Sequence, residues 1–249
     1  MKTATDAVDR ADSLLDEDGL YRLSVKQYHE MIKSGILKNG DPVELLEGLL
    51  FLKHPPAGAA QEEELYRLSV KQYHEMIPAG ILEDGSPVEL LEGLLVRKMT
   101  KKPPHCLSVG LTHDALFALL PAGWHLNVQG AITTRESEPE PDIAVVRGER
   151  RQFADHHPGP KDAALVVEVA DASLRRDRTF KKRIYARARV PVYWIVNLVD
   201  RQIEVYSDPT GSAKKPEYRR REEYSDKAAV PVVLDGKEVG RVQVKDVLP

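Results

Sequence analysis

The sequence predicts an α/β (α+β) protein: a mixed β-sheet flanked by helices, preceded by a duplicated helix–hairpin module. Three observations lead there. Residues 20–53 and 65–98 repeat one another at a constant offset of 45 and differ at only 7 of 34 positions. Two copies are too few for a solenoid, which needs at least three stacked units to close its core, so a repeated module ahead of one larger domain is the better account. Apolar runs of strand length recur at residues 124–132, 142–146, 164–170, 192–197 and 202–206. Helical periodicity separates them at 105–120 and 174–189, and the order helix, strands, helix, strands belongs to a layered α/β or α+β domain.

Each repeat opens on Leu-Ser-Val-Lys-Gln, in which Ser24 with Gln27, and Ser69 with Gln72, form a capping-box pattern for a helix start. The helix stops by Gly35 or Gly80, and Pro78 ends the second copy earlier. Residues 87–96 then place two apolar arms around Glu92-Gly93, a β-hairpin signal. Copy one runs into His54-Pro55-Pro56-Ala57-Gly58 and the acidic Glu62, Glu63 and Glu64, which read as a linker, whereas copy two continues into the rest of the chain. Residues 1–64 are therefore expected to be an acidic extension carrying the first copy, and 65–249 the main domain, with a core over 65–206 and a strand-rich tail over 218–249. That tail is expected to pack on a sheet edge.

Composition narrows the function classes. Cys106 is the only cysteine, which leaves no disulfide framework or thiolate metal cluster and fits a reducing compartment. The N-terminal residues are acidic without a signal-peptide core, and no apolar run approaches the roughly 18 residues of a membrane span, so the expected location is cytoplasmic. Net charge is −3, but residues 1–99 carry 11 Lys/Arg against 18 Asp/Glu and residues 100–249 carry 25 against 21. The basic excess gathers at Arg175, Arg176, Arg178, Lys181, Lys182, Arg183, Arg187 and Arg189, a stripe suited either to phosphates or to a solvated helix face.

Two strands each carry a carboxylate among apolar residues. Alternation puts Asp142 on one face with Ala144 and Val146, and Glu168 on one face with Val166 and Ala170. An acid in such a strand either sits at a strand end facing water or needs a partner, and a hard divalent cation held by one carboxylate from each strand would supply it. In the helix that follows, Asp177, Lys181 and Tyr185 share a face. Lys181 either forms a surface ion pair with Asp177 or leans over the strand ends, where an ammonium orients water and stabilises charge on a phosphate. Glu89 in the hairpin and His105 at a helix start are further candidates. A Gly-rich phosphate loop, a GxSxG elbow and an HExxH motif are all absent, and the adjacent His156-His157 pair reads as loop.

Taken in order, these motifs resemble the Uma2 family, catalogued as a domain of unknown function and as restriction-endonuclease-like. The residues that carry the resemblance are Tyr73-His74-Glu75-Met76-Ile77, Gly80-Ile81-Leu82, residues 88–93, His105, Pro141-Asp142, Val167-Glu168-Val169 with Ser173, Asp177 with Lys181 and Tyr185, and residues 190–196. The similarity spans about residues 65–206. It implies a PD-(D/E)xK nuclease core, Mg2+ (or Mn2+) as cofactor and hydrolysis of phosphodiester bonds in nucleic acid, DNA ahead of RNA. Carried over, Asp142 and Glu168 bind metal, Lys181 is the catalytic lysine displaced onto the helix, and Glu89 is the upstream acid. Arg175, Arg176, Arg178, Lys182 and Arg183 hold nucleic acid, with His105, Asp177 and Tyr185 as accessory groups. Two departures matter: Ala170 stands where the superfamily motif has lysine, and Glu44 mirrors Glu89 in the first copy. The rival expectations are a catalytically silent nucleic-acid-binding or regulatory module on the same fold, and a repeat that mediates homo-oligomers by swapping its spare copy.

Overall fold

The computed structural model describes residues 19–53 and 64–249. The linker expected over residues 54–64 lies, apart from Glu64, outside the described residues, as does the acidic stretch before residue 19. The chain divides into two compact units, Met1–Lys98 and Met99–Pro249.

In the first unit, α1 (Val25–Lys33) and α2 (Val70–Met76) both start at a capping box. The Gln27 N–H donates to Ser24 Oγ at 3.2 Å while the Ser24 N–H donates to Gln27 Oε1 at 2.8 Å, and Ser69 with Gln72 does the same. Of the two, α2 is the shorter, because Pro78 replaces Lys33 and cannot continue the hydrogen-bond ladder. Two hairpins follow their helices: β1 (Val43–Leu46) with β2 (Leu49–Leu52), and β4 (Val88–Leu91) with β5 (Leu94–Arg97), while β3 (Glu64–Leu65) adds to β2. Both two-residue turns need positive φ, 49° and 83° at Glu47-Gly48 and 48° and 80° at Glu92-Gly93. A Cβ on Gly48 would lie 2.7 Å from Arg22 Cβ, and one on Gly93 2.6 Å from Arg67 Cβ, so glycine is required twice over.

The second unit is built on a six-stranded sheet in the order β11-β10-β9-β8-β7-β6, from β6 (Trp124–Val128), β7 (Ile143–Arg147), β8 (Ala163–Ala170), β9 (Val192–Asn197), β10 (Gln202–Pro209) and β11 (Tyr218–Ser225). Every pairing is antiparallel except β8 with β9. A parallel pair requires a crossover, and residues 174–188 supply it as a helical segment. One sheet face, with Val145, Leu165, Val167 and Trp194, packs with α3 (Pro103–Phe117) and the hairpin β12 (Ala229–Leu234) and β13 (Lys237–Gln243). The other, with Ala144, Val146, Val166 and Ala170, packs with Tyr185 and Ala186 of the crossover.

Three expectations are corrected. The tail packs on an edge only in part: Val230, Val232, Leu234 and Val242 are buried in the core of the α3 face, because their alternating apolar side chains match that layer. Residues 218–225 form the edge strand β11 even though their central residues are charged and exposed, since an edge needs only its backbone paired and charges there discourage further pairing. The crossover is not one α-helix. It is α4 (Leu174–Arg176), a π-helical turn over Asp177–Lys181, and α5 (Lys182–Ala188), stopped by Arg189 in the left-handed region at φ 63°. Among the described residues no helix is long and apolar enough to cross a membrane.

Candidate active site

The antiparallel register pairs Ile143 with Val167, so Asp142, which lies immediately before β7 and not within it, comes side by side with Glu168 of β8. Neither faces water: they are 6% and 4% exposed. Val169 N–H donates to Asp142 Oδ2 at 2.9 Å, fixing the carboxylate against the backbone of the neighbouring strand. His105 Nε2 approaches the same oxygen at 3.2 Å from α3, and Lys101 Nζ stands 3.9 Å from Oδ1. The other ring nitrogen of His105, Nδ1, is buried and has no hydrogen-bond partner.

Glu168 projects to the crossover side, where Lys181 Nζ donates to its Oε1 at 2.9 Å and Tyr185 OH donates to the same oxygen at 2.8 Å. Both donors go to Oε1, so Oε2 stands outside these bonds. Lys181 is itself only 6% exposed. The π turn supports this arrangement. The Lys182 N–H reaches back five residues to the Asp177 carbonyl, which also accepts from Tyr193 OH at 3.2 Å, and Ser173 Oγ donates to the buried Asp177 carboxylate at 2.7 Å. A π turn widens the helix locally and is common where side chains must be re-aimed.

The structure thus brings Asp142, Glu168, Lys181, Tyr185, Asp177 and His105 into one cluster in the second unit. It adds Lys101, for which the sequence carries no signal beyond its charge. Glu89 lies in the first unit on β4, paired with Val96 and buried, while its counterpart Glu44 on β1 is half-buried. The basic stripe is divided in its contacts. Arg178 donates from Nε and Nη2 to the fully buried Glu204 at 2.9 and 2.5 Å and from Nη2 to Asp200 at 3.2 Å. Asn197, Tyr206 and Arg221 complete the Glu204 network. Lys182 lies 5.4 Å over the Tyr206 ring and Arg183 4.6 Å over Phe180, while Arg175 is exposed and Arg176 half-buried.

Electrostatics push the two acids apart. Burial raises the Asp142 carboxyl, but the hydrogen bond and charge of His105, the Val169 N–H and the Lys181 charge outweigh it and leave the group below its ordinary value of 3.8. Burial drives the Glu168 carboxyl well above its ordinary 4.5; Lys181 pulls it down, and Asp177 and Asp142 push it further up. A depressed acid adds stability above its unfolded pKa that is lost as pH falls through the folded one, whereas a raised acid adds stability present in full below its unfolded pKa and lost as pH rises through the folded one. The melting-temperature advantage of wild type over Asp142→Asn should therefore shrink as pH is lowered through 3.8. That of Glu168→Gln relative to wild type should shift in its favour as pH rises above 4.5. Parallel pH profiles for the three proteins would refute this assignment.

Among the described residues, no group of three or more His, Cys, Asp and Glu side chains is arranged to hold a metal ion. Mg2+ asks for less: it binds through one or two carboxylates and keeps several of its waters. Two adjacent carboxylates with hard oxygen donors and no thiolate match that demand.

Among solved structures, the chain is similar to one described as "a putative nuclease belonging to DUF820 from Anabaena variabilis ATCC 29413", with a TM-score of 0.54 and 14% identity over 72% of this chain and 97% of that one. At that identity the likeness is one of fold. No curated protein matches the chain. Residues 70–235 match the Uma2 family, described as "Putative restriction endonuclease"; the match begins inside the second repeat copy and leaves the first outside. Since it covers 166 of 249 residues, the chain belongs to the Uma2 family.

Proposed function

We propose that this protein is a metal-dependent endonuclease that hydrolyses phosphodiester bonds in nucleic acid, DNA ahead of RNA. The observation that carries the reading is the buried cluster in which Asp142, immediately before β7, stands beside Glu168 of β8 while Lys181 reaches Glu168 at 2.9 Å from the π turn. Asp142 and Glu168 would hold Mg2+ or Mn2+, which when bound polarises phosphoryl oxygens and lowers the pKa of water. Val169 N–H and His105 fix the Asp142 carboxylate, and Tyr185 with Lys181 fixes that of Glu168, so neither must reorganise as charge develops.

Lys181 supplies a positive charge beside the reacting phosphate and positions the attacking water. In the reaction, water oxygen bonds to phosphorus and one bridging P–O bond breaks, leaving a phosphate on one fragment and a hydroxyl on the other. Of Arg175, Arg176, Arg178, Lys182 and Arg183, the exposed Arg175 is the first candidate to meet the nucleic-acid backbone, and Arg178 is engaged with Glu204 and Asp200. Glu89 keeps the role of upstream acid that the family resemblance gives it, and the two helix–hairpin copies are read as a duplicated module.

Two measurements test this. Mg2+ should raise the melting temperature of wild type but not of Asp142→Asn, with the rise growing with metal concentration over the dissociation constant. A panel of single- and double-stranded DNA and RNA should be cut in Mg2+ or Mn2+. Binding without cleavage across the panel would favour a silent nucleic-acid-binding module instead.

A further inference from the structure

The two repeat copies bind each other reciprocally. The extended residues before each helix pair with the hairpin of the other copy: Tyr66 N–H donates to Leu50 O at 2.8 Å and Tyr21 N–H to Leu95 O at 2.9 Å. Leu65 is accordingly the cross-strand partner of Phe51, and Leu20 that of Val96. The helices cross over as well, with Gln27 Nε2 donating to Ile81 O at 2.7 Å and Gln72 Nε2 to Ile36 O at 2.8 Å. Every one of these bonds becomes the other when 45 is added to one residue number and subtracted from its partner.

That exchange is the property of an isologous, two-fold interface, in which residue i meets j and j meets i. Tandem units stacked by translation would instead join unlike surfaces and leave an open face at each end. A small cavity of about 30 Å³ straddles the dyad, lined by six residue pairs each 45 apart, among them Leu20 with Leu65 and Gly48 with Gly93. Apolar side chains of both copies, including Leu23, Met31, Leu68 and Met76, share one core. Of the seven positions that differ between copies, five lie at the helix ends and the turn before the hairpin (33/78, 34/79, 38/83, 39/84 and 41/86). The remaining two, Phe51/Val96 and Leu52/Arg97, lie in β2 and β5. The side chains that make the reciprocal bonds are identical. Family membership needs only one copy, because the matched region starts at residue 70.

We propose that residues 19–53 are a built-in partner: the repeat is a self-complementary pairing module, and this chain carries both halves of an interface that a one-copy chain would form with a second copy of itself. The proposal does not rest on the nuclease reading. The full chain with Leu23→Asp and Met31→Asp, two buried positions of copy one, leaves copy two unaltered but without its partner. Its mass in sedimentation equilibrium should be twice that of wild type, and adding Tyr66→Pro, which removes a donated N–H, should return it to the wild-type mass. A folded double variant that keeps the wild-type mass would overturn the proposal. A second measurement does not depend on that variant folding: in a Cys106→Ser chain, Leu20→Cys with Val96→Cys should oxidise to a disulfide within one chain. A covalent dimer, or no disulfide, would overturn it equally.

Discussion

Alanine in place of Lys181 is expected to lower Mg2+-dependent cleavage by about a thousandfold, the scale of removing one preorganised charge from a water-poor site. Binding of nucleic acid should weaken only modestly, because a single contact carries a small share of the salt-dependent affinity. Lys182→Ala, one residue on, should stay within about threefold of wild type, since that side chain covers the Tyr206 ring and does not reach Glu168. The variant should also remain folded. Losing the ammonium leaves a buried carboxylate, but the Glu168 carboxyl is already pushed well above its ordinary range and can take up a proton instead of remaining an unpaired charge. Cleavage rates and thermal melts of both variants check this; an inactive Lys182→Ala beside an active Lys181→Ala would move the lysine assignment by one residue.

Arg178→Ala should act on stability in place of chemistry. Glu204 has no solvent exposure, and the Arg178 guanidinium donates to it from two nitrogens. Breaking one partner from a buried ion pair costs on the order of 3 kcal/mol, with Arg221, Asn197 and Tyr206 still bonded to the carboxylate. Denaturant unfolding should show that loss while the salt dependence of nucleic-acid binding hardly changes. Arg175→Ala should show the opposite: little loss of stability and a shallower salt slope. If Arg178→Ala leaves stability intact and flattens the salt slope, the guanidinium serves phosphate after all.

What could be read from the residues was what local chemistry dictates. Strand alternation alone set Asp142 beside Ala144 and Val146, and Glu168 beside Val166 and Ala170, and those neighbours line the layer beneath the crossover. Serine followed three residues later by glutamine marked both helix starts. The π turn was hidden because one more residue in a turn changes hydrogen-bond span, from four residues to five, without requiring a particular residue type. Strand β11 was hidden because an exposed edge carries no apolar alternation. The internal ion pairs of Arg178 were hidden for a third reason: Asp200 and Glu204 are brought to it by the sheet, 22 and 26 residues away in sequence. The reciprocal pairing of the repeats likewise depends on which partner each extended segment chooses, and nearly identical copies offer nearly identical choices.

Joining the two halves of that pairing in one polypeptide changes its order of reaction. Between separate one-copy chains, association would be second order, and dilution would pull the pair apart. Within one chain it is first order, at an effective concentration on the order of millimolar for a short tether. For halves of about micromolar affinity the tethered pair would be closed roughly a thousandfold over open, equivalent to about 4 kcal/mol, however scarce the protein. A 34-residue segment repeated at an offset of 45 thus makes the integrity of this unit independent of how many copies of the chain are present.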